Sequence, residues 1–398
     1  GELRAQQSSI INIERLHRLS VNNGGSLILR DQALLVNNAF WDGSANFNRM
    51  ILRAGSRLNV ANSASLQNRG RLENSGIVTF SSAASGANIA AGADLINSGT
   101  MHVQSSNGFN NGNSTSFSQQ GTLNINAGSR FVNAGGATLN QTSGTLNVTA
   151  NGTLDLQGGT VRFTGGTTNI STGGTMLAGA NSLSLNGGTL NVSDQGTMTV
   201  SSNLTQNNGS HVVHNNGQFT NNGTHNLNGG NFTVVGGGTA TNNTANFTGN
   251  GGSLFVLGGG TLNGTGSYTQ NSGSMQIDGS MVQTGVTING GTVQGVGTIQ
   301  SNVANNGGTV GPGNSPGTLT IDGDYTQGST GTLAIEMDLG AHDLLDIMGD
   351  AFLDGFLDLQ FTTAFSGAAM DGDVFRIVNW ENHTGQFVGP TEFWIGER

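Results

Sequence analysis

Hydrophobic residues recur through the middle of the chain in pairs two positions apart, each pair opened by glycine and a hydroxyl residue. Gly144-Thr145-Leu146-Asn147-Val148, Gly152-Thr153-Leu154-Asp155-Leu156 and Gly159-Thr160-Val161-Arg162-Phe163 set the phrase, which returns at Gly166, Gly174, Asn181, Gly188, Gly196, Ser202 and Gly209. Residues two apart on a strand share a face, so each phrase predicts a short strand with two inward hydrophobes around one outward polar residue. Every third phrase marks a longer period, at 144, 166, 188, 209, 230, 252 and 273, in steps of 21 or 22 residues. Three short strands per turn, none able to bury its face without a neighbouring turn, predict a parallel β-solenoid.

The first strand of successive turns supplies Leu146 and Val148, Thr168 and Ile170, Leu190 and Val192, His211 and Val213, Phe232 and Val234, Leu254 and Val256, then Met275 and Ile277. These pairs are expected as inner columns, with Leu146, Val148, Leu190, Val192, Phe232, Val234, Leu254 and Val256 as the defining core. The second series runs Leu154 and Leu156, Met176 and Ala178, Met198 and Val200, and weakens to Phe219 and Asn221, then Ala240 and Asn242. The third runs Val161 and Phe163, Leu183 and Leu185, Leu204 and Gln206, His225 and Leu227, then Ala245 and Phe247. Glycine pairs such as 158–159, 173–174 and 229–230 mark corners, where glycine permits positive φ or a close backbone approach. Asn207, Asn208, Asn215, Asn216, Asn221, Asn222, Asn242 and Asn243 gather near corners, and stacked amides can hydrogen-bond from turn to turn. Some asparagines fit the glycosylation sequon, but the motif arises by chance in a chain this rich in Asn, Ser and Thr.

Composition agrees with an ordered repeat. Of 398 residues, 67 are glycine and 9% are charged, yet 34% are hydrophobic and regularly spaced, which separates the chain from disordered sequences of low charge. Cysteine is absent, which excludes disulfides, thiolate nucleophiles and zinc–thiolate sites. No run of about 18 apolar residues is present, so no transmembrane helix is expected. The sequence opens without a signal-peptide pattern. Charge is uneven: net +5 over residues 1–71, −3 over 72–319 and −12 over 320–398. With lysine absent and a net charge of −10, nucleic acid is not an expected partner.

The pattern suggests three regions. Residues 1–50 lack the phrase and are expected to be an N-terminal cap or assembly segment; whether Ile10, Ile11, Ile13, Leu16 and Leu19 form an amphipathic cap or a first irregular strand stays open. Residues 51–310 form the Gly/Asn/Thr-rich solenoid body, and 311–398 an acidic C-terminal region holding all three prolines. There the chain reads Pro312-Gly313-Asn314-Ser315-Pro316-Gly317-Thr318-Leu319-Thr320-Ile321-Asp322-Gly323-Asp324-Tyr325-Thr326-Gln327. Asp343-Leu344-Leu345-Asp346-Ile347 follows, then a run from Gly349 to Leu359, Gly372 to Val378, and Gly385-Gln386-Phe387. Residues 308–390 resemble the passenger domains of bacterial autotransporters, and the earlier repeats resemble them loosely. The resemblance implies a right-handed parallel β-helix at the bacterial cell surface or outside the cell.

Catalytic chemistry is poorly represented. The acids of residues 72–319 are Glu73, Asp94, Asp155, Asp194 and Asp278, and none makes the close carboxylate pair that glycoside hydrolysis needs. His211, His214 and His225 suggest a softening of the repeat more than a metal site. The aspartates around Asp343 and Asp350 match no calcium-binding loop, so no catalytic, metal or cofactor residue is assigned and no cofactor is expected. The expected role is a non-enzymatic extracellular structural protein. It would build a surface fibre or matrix by head-to-tail self-association, with basic Arg15, Arg18 and Arg30 meeting acidic Asp343 and Asp346. A surface adhesin binding host cells or glycans, with cell-surface glycans or proteins as partners, is the alternative, and a carbohydrate-active β-helix enzyme a weaker one.

Overall fold

The computed structural model describes the chain apart from residues 1, 6–9, 14–18, 22–25, 30–33, 38–48, 89–90, 180–181, 244–245, 315, 339–340, 363–373 and 390–398. It is an all-β parallel β-solenoid of about 14 turns with three strands each, and there is no helix among the described residues. The chain divides into two compact units, residues 1–212 with 216–219, and residues 213–215 with 220–398.

In the first unit the strand Thr145–Val148 pairs in parallel with Thr122–Ile125 on one side and Thr167–Ile170 on the other. Thr167–Ile170 continues to Thr189–Val192, so Leu146, Thr168 and Leu190 form one column and Val148, Ile170 and Val192 the next. Leu146, Val148, Leu190 and Val192 are buried. The second series is also in register, with Leu154 beside Met176 and Met176 beside Met198. Column neighbours differ in size where the interior demands it: Gly86 stands beside Phe109, and a Cβ there would lie 2.6 Å from the Phe80 and Phe109 rings.

The segment expected as a cap or assembly segment contains strands of the same ladder. Glu2–Ala5 pairs with Ser26–Leu29, which pairs with Arg57–Val60, while Ile10–Ile13 pairs with Leu34–Asn37. The turns are longer here, since Glu2 pairs with Ser26 and Ser26 with Arg57, and this hides the regular phrase.

In the second unit Phe232, Leu254, Met275, Val293, Val310, Leu333 and Leu357 follow one another across paired strands. Phe232, Val234, Leu254 and Val256 are buried. Turn length departs from 21–22 residues here. Ser274 pairs with Thr292 and Thr292 with Thr309, steps of 18 and 17; the corner Leu257–Gly260 is replaced by the two-residue corner Asp278–Gly279, and the following strand with its corner is shorter as well.

One register expectation is corrected. Phe247 stacks on His225, not on Leu227, with ring centroids 4.1 Å apart, and Tyr268 follows it. Leu227 instead faces Gly249, whose missing side chain leaves room for the Tyr268 ring: a Cβ there would lie 2.7 Å from the phenolic oxygen.

The inward asparagines and glutamines are hydrogen-bonded ladders. Asn74 donates to Asn97 and Asn97 to Gln119, at 2.7 and 2.9 Å; Asn68, Asn88, Asn111 and Asn133 form a second ladder at 2.7 to 2.9 Å. Each amide also reaches a backbone carbonyl of the next turn, as Asn97 does to Thr122 at 2.9 Å and Asn111 to Thr138 at 3.1 Å. A carbonyl turned inward at a corner would otherwise lie buried without a donor, and the inward amide supplies one.

Candidate functional site

Outward positions of many strands carry hydroxyls or amides that bond from turn to turn. Asn124, Asn147, Asn169 and Asn191 make an outer ladder with amide-to-amide distances of 2.8 to 3.0 Å. In the second unit Asn228, Asn250, Asn271, Asn289 and Asn306 do the same at 2.9 to 3.0 Å. Of the corner asparagines expected to stack, Asn207 bonds Asn186 at 2.8 Å and Asn243 bonds Asn222 at 2.9 Å.

The outer face is broken in the second unit by an open cleft of about 420 Å³. Its floor comes from the outward positions of Thr292–Gly295, Thr309–Pro312, Thr332–Asp338 and Phe356–Phe361. Val310 pairs with Leu333, which sets Gly311 beside Ala334, and these two small residues make the depression. Thr292, Gln294 and Thr309 border it on one side, Glu336 and Gln360 on the other, with Glu336 paired directly to Gln360.

The wall is the loop after Pro312. The Gly313 N–H donates to the Gly295 carbonyl at 2.8 Å, and the Asn314 amide donates to Asp278 Oδ1 at 3.1 Å. Asp343 fixes the other end of the loop. Its Oδ1 accepts from the Gly317 N–H and its Oδ2 from the Glu336 N–H, both at 2.8 Å. Gly313 sits at φ 98, and a Cβ there would lie 2.2 Å from Asp343 Oδ1, so the loop closes tightly over this carboxylate. Burial pushes the Asp343 carboxyl above its ordinary range, against the opposing pull of the two backbone hydrogen bonds.

The residues singled out for head-to-tail contact are described only in part. Arg15, Arg18 and Arg30 lie outside the described residues. Asp343 is buried at 4% exposure and holds the loop, so it offers no outward charge to another copy. Asp346 is half-buried and accepts from the Asn379 amide of the next turn at 2.8 Å. Other acids are held similarly: Asp324 accepts from the Asp350 N–H at 3.0 Å, and Asp350 from the Asn382 amide at 2.9 Å.

Glu73 and Asp94 share Arg71, at 2.8 and 3.9 Å, and Asp155 pairs with Arg130. Among the described residues no group of three or more His, Cys, Asp or Glu side chains could hold a metal. His211 and His225 are buried, and desolvation lowers the His211 pKa to about 3.

Comparison with known proteins gave no matching family model and no matching curated protein. The parallel β-helix repeat architecture is what the structure establishes. Among the described residues no helix is long and apolar enough to cross a membrane.

The cleft was missed from sequence. Gln294, Asn314, Glu336 and Gln360 are far apart along the chain and become neighbours only through turns of irregular length. The signal that could have pointed to it is the change of outward residues from Asn and Thr to Gly311 and Ala334.

Proposed function

We propose that the protein is a non-enzymatic structural β-solenoid carried outside the bacterial cell, where it builds a surface fibre or matrix by end-to-end association. The observation that carries the reading is the use made of its polar groups. Interior amides form ladders that lock turn to turn, and the carboxylates of the body engage arginines, amides and backbone N–H groups. Polar groups committed to stacking are what a load-bearing repeat requires, and the likeness of residues 308–390 to autotransporter passengers supports export. A parallel ladder has unpaired N–H and C=O groups wherever it stops, and a second copy can continue it. Because Asp343 is buried, such a join rests on strand pairing and on charges other than this one.

Electron microscopy and light scattering over rising protein concentration test the assembly. Filaments or a growing mass support it; a strictly monomeric species at high concentration and low salt overturns it. Incubation with oligosaccharides tests the non-enzymatic half, and the appearance of new reducing ends would overturn that half.

A further inference from the structure

We propose that the cleft over Gly311 and Ala334 is a binding site for an uncharged glycan chain lying across the strands. This goes beyond the structural role and is independent of it.

The lining is the first argument. Thr292 and Thr309 offer hydroxyls, Gln294, Asn314 and Gln360 offer amides, and Glu336 offers a carboxylate. Amides and hydroxyls both donate and accept, which suits a ligand bearing many hydroxyls. Among the described residues no arginine, lysine or histidine lines the cleft, so a sulfated or phosphorylated chain has no counter-charge there.

Shape is the second. Gly311 and Ala334 leave the floor low, between Gln294 on the preceding strand and Asp358 on the following one. A chain laid across the strands, about 4.8 Å apart, passes an amide at Gln294, the low floor, and the paired Glu336 and Gln360. Phe356 extends the column of Thr309 and Thr332 and is 49% exposed, so an aromatic face stands at the edge of this surface.

Rigidity is the third. The wall at Gly313 and Asn314 is tied to Gly295, Asp278 and Asp343 before any ligand arrives, so little ordering cost remains on binding. A divalent cation is a poor occupant, because both Asp343 oxygens already accept backbone N–H groups and, among the described residues, Glu336 is the only other carboxylate in the lining.

The test titrates the whole chain with neutral linear tetrasaccharides of gluco, manno and galacto configuration, and with a heparin-derived tetrasaccharide as the anionic control. Binding is read by saturation-transfer NMR and calorimetry. At least one neutral tetrasaccharide should bind, and the heparin fragment should not. Q294A and Q360A should each weaken binding at least tenfold, and Ala334→Trp, which fills the floor, should abolish it, all with circular dichroism and melting temperature unchanged. The proposal is overturned if no neutral tetrasaccharide binds, if the heparin fragment binds as well or better, or if the folded variants bind like the original. Filament formation is measured separately, so failure here leaves the structural reading standing.

Discussion

Gly174 has no side chain because Val148 already occupies the place where one would go: a Cβ there would lie 2.0 Å from the Val148 carbonyl oxygen. Gly121, Gly152 and Gly196 meet carbonyls of the preceding turn at 2.0 to 2.2 Å in the same way. Gly174→Ala should therefore destabilise the fold by about 1–3 kcal/mol or more, read as a lower urea midpoint. Two residues earlier the logic reverses. Ser171 to Gly174 close a turn with a 2.9 Å bond, and exposed Thr172 holds φ 51 at one central position, where a β-branched side chain is strained. Thr172→Gly should stabilise by up to about 1 kcal/mol, since relief of left-handed strain outweighs the extra unfolded-state entropy. The sequence marks the Gly173–Gly174 pair as a corner but does not separate the two causes, because close approach depends on the neighbouring turn. His211 gives a pH effect. Its folded pKa is about 3, below the ordinary 6.5, so stability is full above pH 6.5 and falls as pH drops from there toward 3. The slope should be at most about 1.4 kcal/mol per pH unit. His211→Leu should remove that contribution; an unchanged acid profile in urea titrations would show that His211 is charged in the fold.

At the scale of the strand, period-two alternation made the inner hydrophobes legible, because burial on one face and water on the other leave that trace. Leu146 and Val148 or Phe232 and Val234 could be assigned inward from spacing alone. The amides closing other strands could not, since polarity reads as outward until a buried partner is visible. Asn221 and Asn242 read as a weakening of the repeat, yet both are buried, as is Gln206. The same amino acid should thus behave differently in the two kinds of ladder. Asn97 is buried, accepts from Asn74 and donates to Gln119 and the Thr122 carbonyl. Asn97→Leu leaves several polar groups without partners in the interior and should cost at least about 2 kcal/mol. Asn147 makes similar amide contacts to Asn124 and Asn169 on the outer face, where water replaces whatever is lost. Asn147→Ala should cost under about 1 kcal/mol. Equal losses in thermal denaturation of the two variants would contradict the difference drawn here between inner and outer ladders.

Across the whole molecule, the composition isolates one titration at high pH. The chain has no lysine and no cysteine, and its only tyrosines are Tyr268 and Tyr325. Arginine stays protonated well above the range in which tyrosine ionises. Both phenols are fully buried, and burial pushes their pKa values far above the ordinary 10. Tyr325 donates to Gln327 at 2.8 Å, a bond that the neutral phenol makes and the phenolate does not. A raised folded pKa means that the stabilising contribution is complete below about pH 10 and is lost as pH climbs toward the folded value. Each tyrosine then contributes a slope of up to about 1.4 kcal/mol per pH unit. Both lie in the unit of residues 213–215 and 220–398, so alkali should weaken that unit first. Hydrogen exchange at pH values from 8 to about 11.5, corrected for the intrinsic rate, should show protection falling there, while residues 57–212 hold theirs. The double variant Y268F/Y325F should start somewhat less stable at neutral pH, having lost its phenolic hydrogen bonds, and then stay level where the original declines. A parallel decline in the double variant would mean that the alkaline loss comes from backbone or arginine chemistry and that the buried phenols do not govern it.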